Sequence, residues 1–128
     1  MTERDFESLT HRIIGCAFEV GTQLGIGYAE KVYENALAHE MRKRGLGVAQ
    51  QVRLEVHYDG IVVGEFFADI VVEGRVLLEI KATSGIIDAH KAQTLNYLKT
   101  TGLTLGLVIN FGSSRVQTQR VVHNFPSS

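Results

Sequence analysis

Three ionisable side chains, Asp69, Glu79 and Lys81, interrupt the otherwise apolar, β-type run FFADIVVEGRVLLEIKA. Charge buried in such a stretch costs several kcal/mol unless it is paired or bound to a metal, so something must offset it. Two carboxylates with a main-chain carbonyl such as that of Ile80 form an oxygen-rich site suited to Mg²⁺ or Mn²⁺. A hard cation there can polarise a phosphodiester and acidify a bound water, while the Lys81 ammonium orients that water or stabilises developing phosphorane charge. The chemistry this favours is phosphodiester hydrolysis. The competing reading makes Glu79 and Lys81 ordinary charges on a half-exposed strand with Asp69 as a surface neighbour.

Strand geometry decides between them. A period of two puts Glu79 and Lys81 on one face, but whether Asp69 joins them depends on the pairing register. A two-residue turn at Glu73-Gly74 pairs Asp69 with Leu78; a three-residue turn through Arg75, with Gly74 left-handed, pairs it with Glu79. We expect the second, or a bulge of equal effect.

The elements that must position these residues follow from periodicity. Phe6, Leu9, Ile13, Ala17 and Val20 form the apolar stripe of a helix from about Thr2 to Val20, with Thr2 and Asp5 as a capping box. The glycines of GTQLGIG end it. A second helix spans Ala29 to Arg44, with Val32, Ala36 and Leu37 as core contacts, cations in its last turn and Gly45 as its stop. Strands follow over Val48–Tyr58, Ile61–Val72 and Arg75–Ala82, the first two joined at Asp59-Gly60, a strong hairpin signal. The run IIDAHKAQTLNYLKTTG reads as a helix with Asp88 as N-cap, Ala92, Leu95 and Leu98 on its apolar side and Gly102 as terminator. Strands over Leu103–Phe111 and Val116–His123 precede a loose tail, NFPSS. The order ααβββαββ describes one α/β domain over residues 1–128.

Composition narrows the function. With 13 basic and 14 acidic residues the formal charge is -1, so no global field draws the chain to nucleic acid or membrane, and a polyanion must be gripped locally. The lone Cys16, in the apolar IIGCAF, excludes an intramolecular disulfide, reads as a buried hydrophobe and fits a reducing cytoplasm. No apolar run approaches the roughly 20 residues of a membrane span, and the polar N-terminus lacks a signal core. The five histidines show no zinc-ligand pair; His90 and Lys91 are singled out because they open the third helix, where backbone N–H groups favour a phosphate.

Asp69 followed by Glu79-Ile80-Lys81 resembles the motif of the PD-(D/E)xK nuclease superfamily, and the run Gly27-Tyr28-Ala29-Glu30-Lys31-Val32-Tyr33 resembles the pattern that names its GxxExxY family. YENALAHEMRKRGL, QTLNYLKTTG and GLVINFG extend the likeness over nearly the whole chain; Ala68 stands where the superfamily's name has proline. The resemblance implies a restriction-endonuclease-like core, a mixed β-sheet flanked by helices. It also implies Asp69 and Glu79 as metal ligands, Lys81 as catalytic lysine, and Glu30 as an acidic residue beside the metal. Gln93 and Tyr97 match the QxxxY helix element of exonuclease-like branches, and their spacing of four puts both on one helical face. Core or solvated roles compete for Glu30, Gln93 and Tyr97, and Tyr33 is read as packing.

Two functions are therefore expected: a Mg²⁺- or Mn²⁺-dependent nuclease acting on DNA, possibly RNA, or a catalytically inactive nuclease-fold module binding nucleic acid or protein. The small size and near-neutral charge favour the second and also suggest a symmetric homodimer, which enlarges the footprint on a duplex.

Overall fold

The computed structural model describes residues 1–125. Its elements run α1 (Glu3–Leu24), α2 (Glu30–Lys43), β1 (Val48–Tyr58), β2 (Ile61–Val72), β3 (Val76–Lys81), α3 (Asp88–Thr101), β4 (Leu105–Asn110) and β5 (Gln117–Val122). The strands form one sheet in the order β1-β2-β3-β4-β5. β3 and β4 are parallel and the other pairs antiparallel, so the sheet is mixed, and α3 is the crossover that parallel pairing demands.

β3 and β4 are buried on both faces, which explains their nearly uninterrupted apolar sequence. On one face, Ile13, Ala17 and Val20 of α1 and Tyr33, Leu37 and Met41 of α2 pack on Ile70, Leu78, Ile80 and Ile109. On the other, Tyr97 and Leu98 of α3 pack on Leu54, Ala68 and Leu77.

Asp59-Gly60 makes the expected tight hairpin, bringing Tyr58 opposite Ile61. The next turn answers the register question. Val72 pairs with Val76, leaving a three-residue connection in which Gly74 has φ 64° and the Arg75 N–H donates to the Val72 carbonyl. That left-handed backbone is one glycine adopts without steric cost. Ile70 pairs with Leu78, so continuing the register sets Asp69 against Glu79.

The capping box of Thr2 and Asp5 is present, but α1 runs past Val20 to Leu24. Gly21 lies inside it, pressed so closely against Val116 that a Cβ would sit 2.3 Å from Cγ2. Val32 is 40% exposed rather than core, because Tyr33 takes the inward position. In α3 the inward positions are Thr94, Tyr97 and Leu98, whereas Ala92 is exposed and Leu95 half-buried. The N-cap of α3 is Ile87, not Asp88, and its carbonyl and amide both engage His90. Within the expected loose tail, Phe125 docks on Phe6 at 5.1 Å beneath the Arg120 guanidinium; Pro126 to Ser128 lie outside the described residues.

Candidate active site

The β2–β3 pairing runs from Val72↔Val76 to Ile70↔Leu78, and beyond it side chains replace backbone partners. Asp69 Oδ2 accepts the Ile80 N–H at 2.8 Å, so a carboxylate occupies the place of a ladder carbonyl. Glu79, on the neighbouring strand, is only 4% exposed. Burial, followed by the charge of Asp69 and a side-chain hydrogen bond with it, pushes the Glu79 carboxyl up to about 9. The Lys81 ammonium pulls the other way. A buried carboxyl held neutral beside a second carboxylate is poised to give up its proton to a cation. Glu79 Oε1 is buried with no hydrogen-bond partner among the described residues. Such an orphaned acceptor is costly and calls for a donor or a metal ion.

The strand carrying Glu79 and Lys81 is clamped at its end. Asn110, fully buried at the end of β4, accepts from the Thr83 and Gly112 N–H groups and donates to the Thr83 carbonyl and to Gln117 Oε1. The Phe111 N–H donates to the Lys81 carbonyl at 2.8 Å. Gly112 approaches the Thr83 backbone so closely that a Cβ would lie 2.3 Å from its nitrogen, which makes the close crossing dependent on glycine.

Helix α3 brings Gln93 and Tyr97 to the same region. Burial raises the Tyr97 phenol, the charges of Glu79 and Asp69 add to this, and a hydrogen bond with Gln93 opposes it. Tyr97 also stacks on Phe66 with centroids 4.0 Å apart, so it is both a core aromatic and a neighbour of the acid pair. Beside it, Phe66, Gln93, Asn96 and Lys99 line an open groove of about 580 Å³. His90 accepts the Ile87 N–H on Nδ1, which leaves the ring hydrogen of its neutral form on Nε2. Burial and then the Lys81 charge lower its pKa, and the charge of Glu30 raises it.

Glu30 stands on the first turn of α2, exposed and within electrostatic range of His90. Among the described residues no group of three or more His, Cys, Asp or Glu is arranged to hold a metal ion, so Glu30 does not complete a cluster with Asp69 and Glu79. Tyr33 packs as expected: it stacks on Phe111 at 4.8 Å, and its hydroxyl donates to the Gly25 carbonyl and accepts from the Tyr28 N–H, locking the loop before Glu30.

A network that no sequence motif marks lies behind Asp69. Glu34, 3% exposed, accepts from Gln50 Nε2 at 2.7 Å, Gln51 Nε2 at 2.8 Å and Lys31 Nζ at 3.2 Å. Gln51 Nε2 also donates to Asp69 Oδ1 at 3.4 Å. No local pattern marks these residues, because their meeting depends on the β1–β2 register.

A mixed five-stranded sheet between helices, with an acid pair and a lysine on adjacent strands, defines the restriction-endonuclease-like class of α/β fold. Within that class the chain belongs to the PD-(D/E)XK nuclease superfamily, whose family model matches residues 7–121. No curated protein matches it. Among solved structures, the crystal structure of SSO0001 is similar in fold, with a TM-score of 0.60 at 17% identity. The match covers 77% of this chain and 50% of that one, so this chain spans about half the length of that protein. Nucleases of this superfamily generally use divalent metals. No helix of the described residues is long and apolar enough to cross a membrane.

Proposed function

We propose that the chain is a divalent-metal-dependent nuclease of the GxxExxY type that hydrolyses phosphodiester bonds in DNA, with Asp69, Glu79 and Lys81 as its chemical core. The observation that carries this reading is the buried Glu79, whose Oε1 has no partner among the described residues and whose carboxyl is pushed up by burial and by the charge of Asp69 beside it. That arrangement is unfavourable in the protein alone and becomes favourable when a cation replaces the proton. Two carboxylates suit Mg²⁺ or Mn²⁺, which commonly complete their coordination with water and substrate phosphate oxygens. The proposed holders are Asp69 and Glu79 with the Ile80 carbonyl, while Glu30, outside that cluster on the first turn of α2, would act on the site through its charge.

The bound cation would supply Lewis acidity to the scissile phosphate and acidify the attacking water. Lys81 would orient that water and stabilise charge developing on the phosphate. Gln93 and Tyr97 would hold the neighbouring phosphate by hydrogen bonds from one face of α3. His90, with its Nε2 hydrogen directed away from the Ile87 amide, would donate to a substrate oxygen. The open groove beside Tyr97 would receive the adjoining nucleotide. A second copy of the chain would extend this small footprint along a duplex; small-angle scattering of the protein with and without DNA tests that part.

One observation favours a second reading, a nuclease-fold module that binds without cutting: among the described residues no third carboxylate joins Asp69 and Glu79 in a metal cluster. The experiment that separates the two incubates the protein with labelled single- and double-stranded DNA and RNA plus Mg²⁺ or Mn²⁺. Cleavage by the wild type that disappears in Asp69→Ala and Lys81→Ala supports the nuclease. Cleavage unaffected by both substitutions, or binding without cleavage, overturns it.

A further inference from the structure

Gln51 has φ 52° in the middle of β1, a left-handed backbone for a non-glycine residue within a strand. The other non-glycine residues of positive φ, Asp59, Glu73 and Asn124, lie at the two hairpin turns and beyond β5. Non-glycine residues are held in this region only where the surroundings over-determine them, and such strain gathers at functional sites.

Its position is as telling as its conformation. The β1–β2 register pairs Gln50 with Ile70 and Val52 with Ala68, so Gln51 stands opposite Asp69. Both strands change faces there. Val48, Ile70 and Val72 pack with the helices α1 and α2, whereas Val52, Leu54, Phe66 and Ala68 pack with α3. Gln50 and Gln51, consecutive in the strand, consequently both bond the same Glu34 carboxylate, which a regular pleat forbids. The kink turns the Gln51 amide toward two carboxylates at once, the buried Glu34 and the outer oxygen of Asp69. With Ile80 N–H on Oδ2 and Gln51 Nε2 on Oδ1, both Asp69 oxygens are held.

We infer that Gln51 is a positioning residue, which uses Glu34 as its anchor to fix the plane of the Asp69 carboxylate for the cation. This rests on the reading of Asp69 and Glu79 as metal carboxylates. Residues that hydrogen-bond a metal ligand fix its orientation, and their loss commonly weakens metal binding by about 10- to 100-fold. Gln50 provides an internal control, because it donates to the same Glu34 at 2.7 Å but does not touch Asp69.

The test measures Mn²⁺ affinity by calorimetry, with thermal unfolding in parallel, for the wild type, Gln51→Gly, Gln51→Met and Gln50→Met. Glycine accepts the left-handed backbone without strain, so that variant folds while lacking the amide. We expect Mn²⁺ affinity to fall by about tenfold or more in both Gln51 variants and to hold in Gln50→Met. Gln51 variants that bind Mn²⁺ like the wild type overturn the inference alone. Equal weakening in Gln50→Met overturns it too, since Glu34 rather than Asp69 is then the object of the contact. A wild type that takes up no Mn²⁺ overturns the metal-site reading and this inference with it.

Discussion

Replacing Glu79 by glutamine should stabilise the protein at alkaline pH and, on the proposed function, abolish cleavage. In the folded chain the Glu79 carboxyl is pushed up to about 9 from its ordinary value of 4.5, chiefly because it is buried and secondly because Asp69 lies beside it. The folded state therefore binds this proton more tightly than the unfolded state does. The resulting stability is fully present below the unfolded value, declines through the window between the two, and is gone above the folded value. Within that window the loss is about 1.4 kcal/mol per pH unit, so about 3 kcal/mol disappears between pH 5.5 and 8. Glutamine has the same shape and no proton to lose, so the variant should lack this component of the slope. Urea unfolding at pH 5.5, 7 and 8 compares the two proteins under conditions where the other titrating groups are common to both. The wild type should lose stability relative to Glu79→Gln as pH rises. At pH 8, Mn²⁺ at 100 times its Kd should restore about 2.7 kcal/mol to the wild type and nothing to the variant. Parallel pH profiles for the two proteins would refute the claim that Glu79 is buried against its charge.

Other substitutions probe separate parts of the site. Lys81→Met should lower cleavage by about 100-fold or more with an unchanged melting temperature, since Lys81 makes no ion pair among the described residues; a steady-state assay beside a thermal melt checks both. Tyr97→Phe keeps the stack on Phe66 and removes only the hydroxyl, so turnover should fall about tenfold with the fold intact. Gly112→Ala meets the backbone of Thr83 rather than a yielding side chain and should cost about 2 kcal/mol or more in urea unfolding. Because that loop carries the Asn110 clamp beyond Lys81, cleavage should fall with it.

Much of the architecture was legible because it rests on short-range rules. Asp59-Gly60 announces a two-residue hairpin, and Glu73-Gly74-Arg75 offers a three-residue turn that brings Asp69 opposite Glu79. The parts that misled depend on contacts distant in sequence. The glycines of GTQLGIG do end the first helix, but at Gly25 rather than just after Val20, because Gly21 is held inside it against Val116; Val32 looks like core until Tyr33 takes the inward position. Helix α3 gives a poor apolar stripe because one of its buried positions is Thr94, which satisfies its hydroxyl on the His90 carbonyl. Motif spacing points to Glu30 but carries no sign of Glu34, four residues later, which is linked to Asp69 through Gln51. Asn110 was equally invisible: its importance lies in four hydrogen bonds to Thr83, Gly112 and Gln117, which require the parallel β3–β4 pairing to exist first. Long-range register, not local propensity, decides such meetings.

The central claim is that Asp69 and Glu79 are held together, at a cost to the apoprotein, to receive a divalent cation. Anomalous diffraction from a crystal soaked in Mn²⁺ tests it most directly. A single strong peak is expected within coordination distance of one oxygen from each carboxylate, including the orphaned Oε1 of Glu79. A peak elsewhere in the molecule, or none at saturating Mn²⁺, would contradict it.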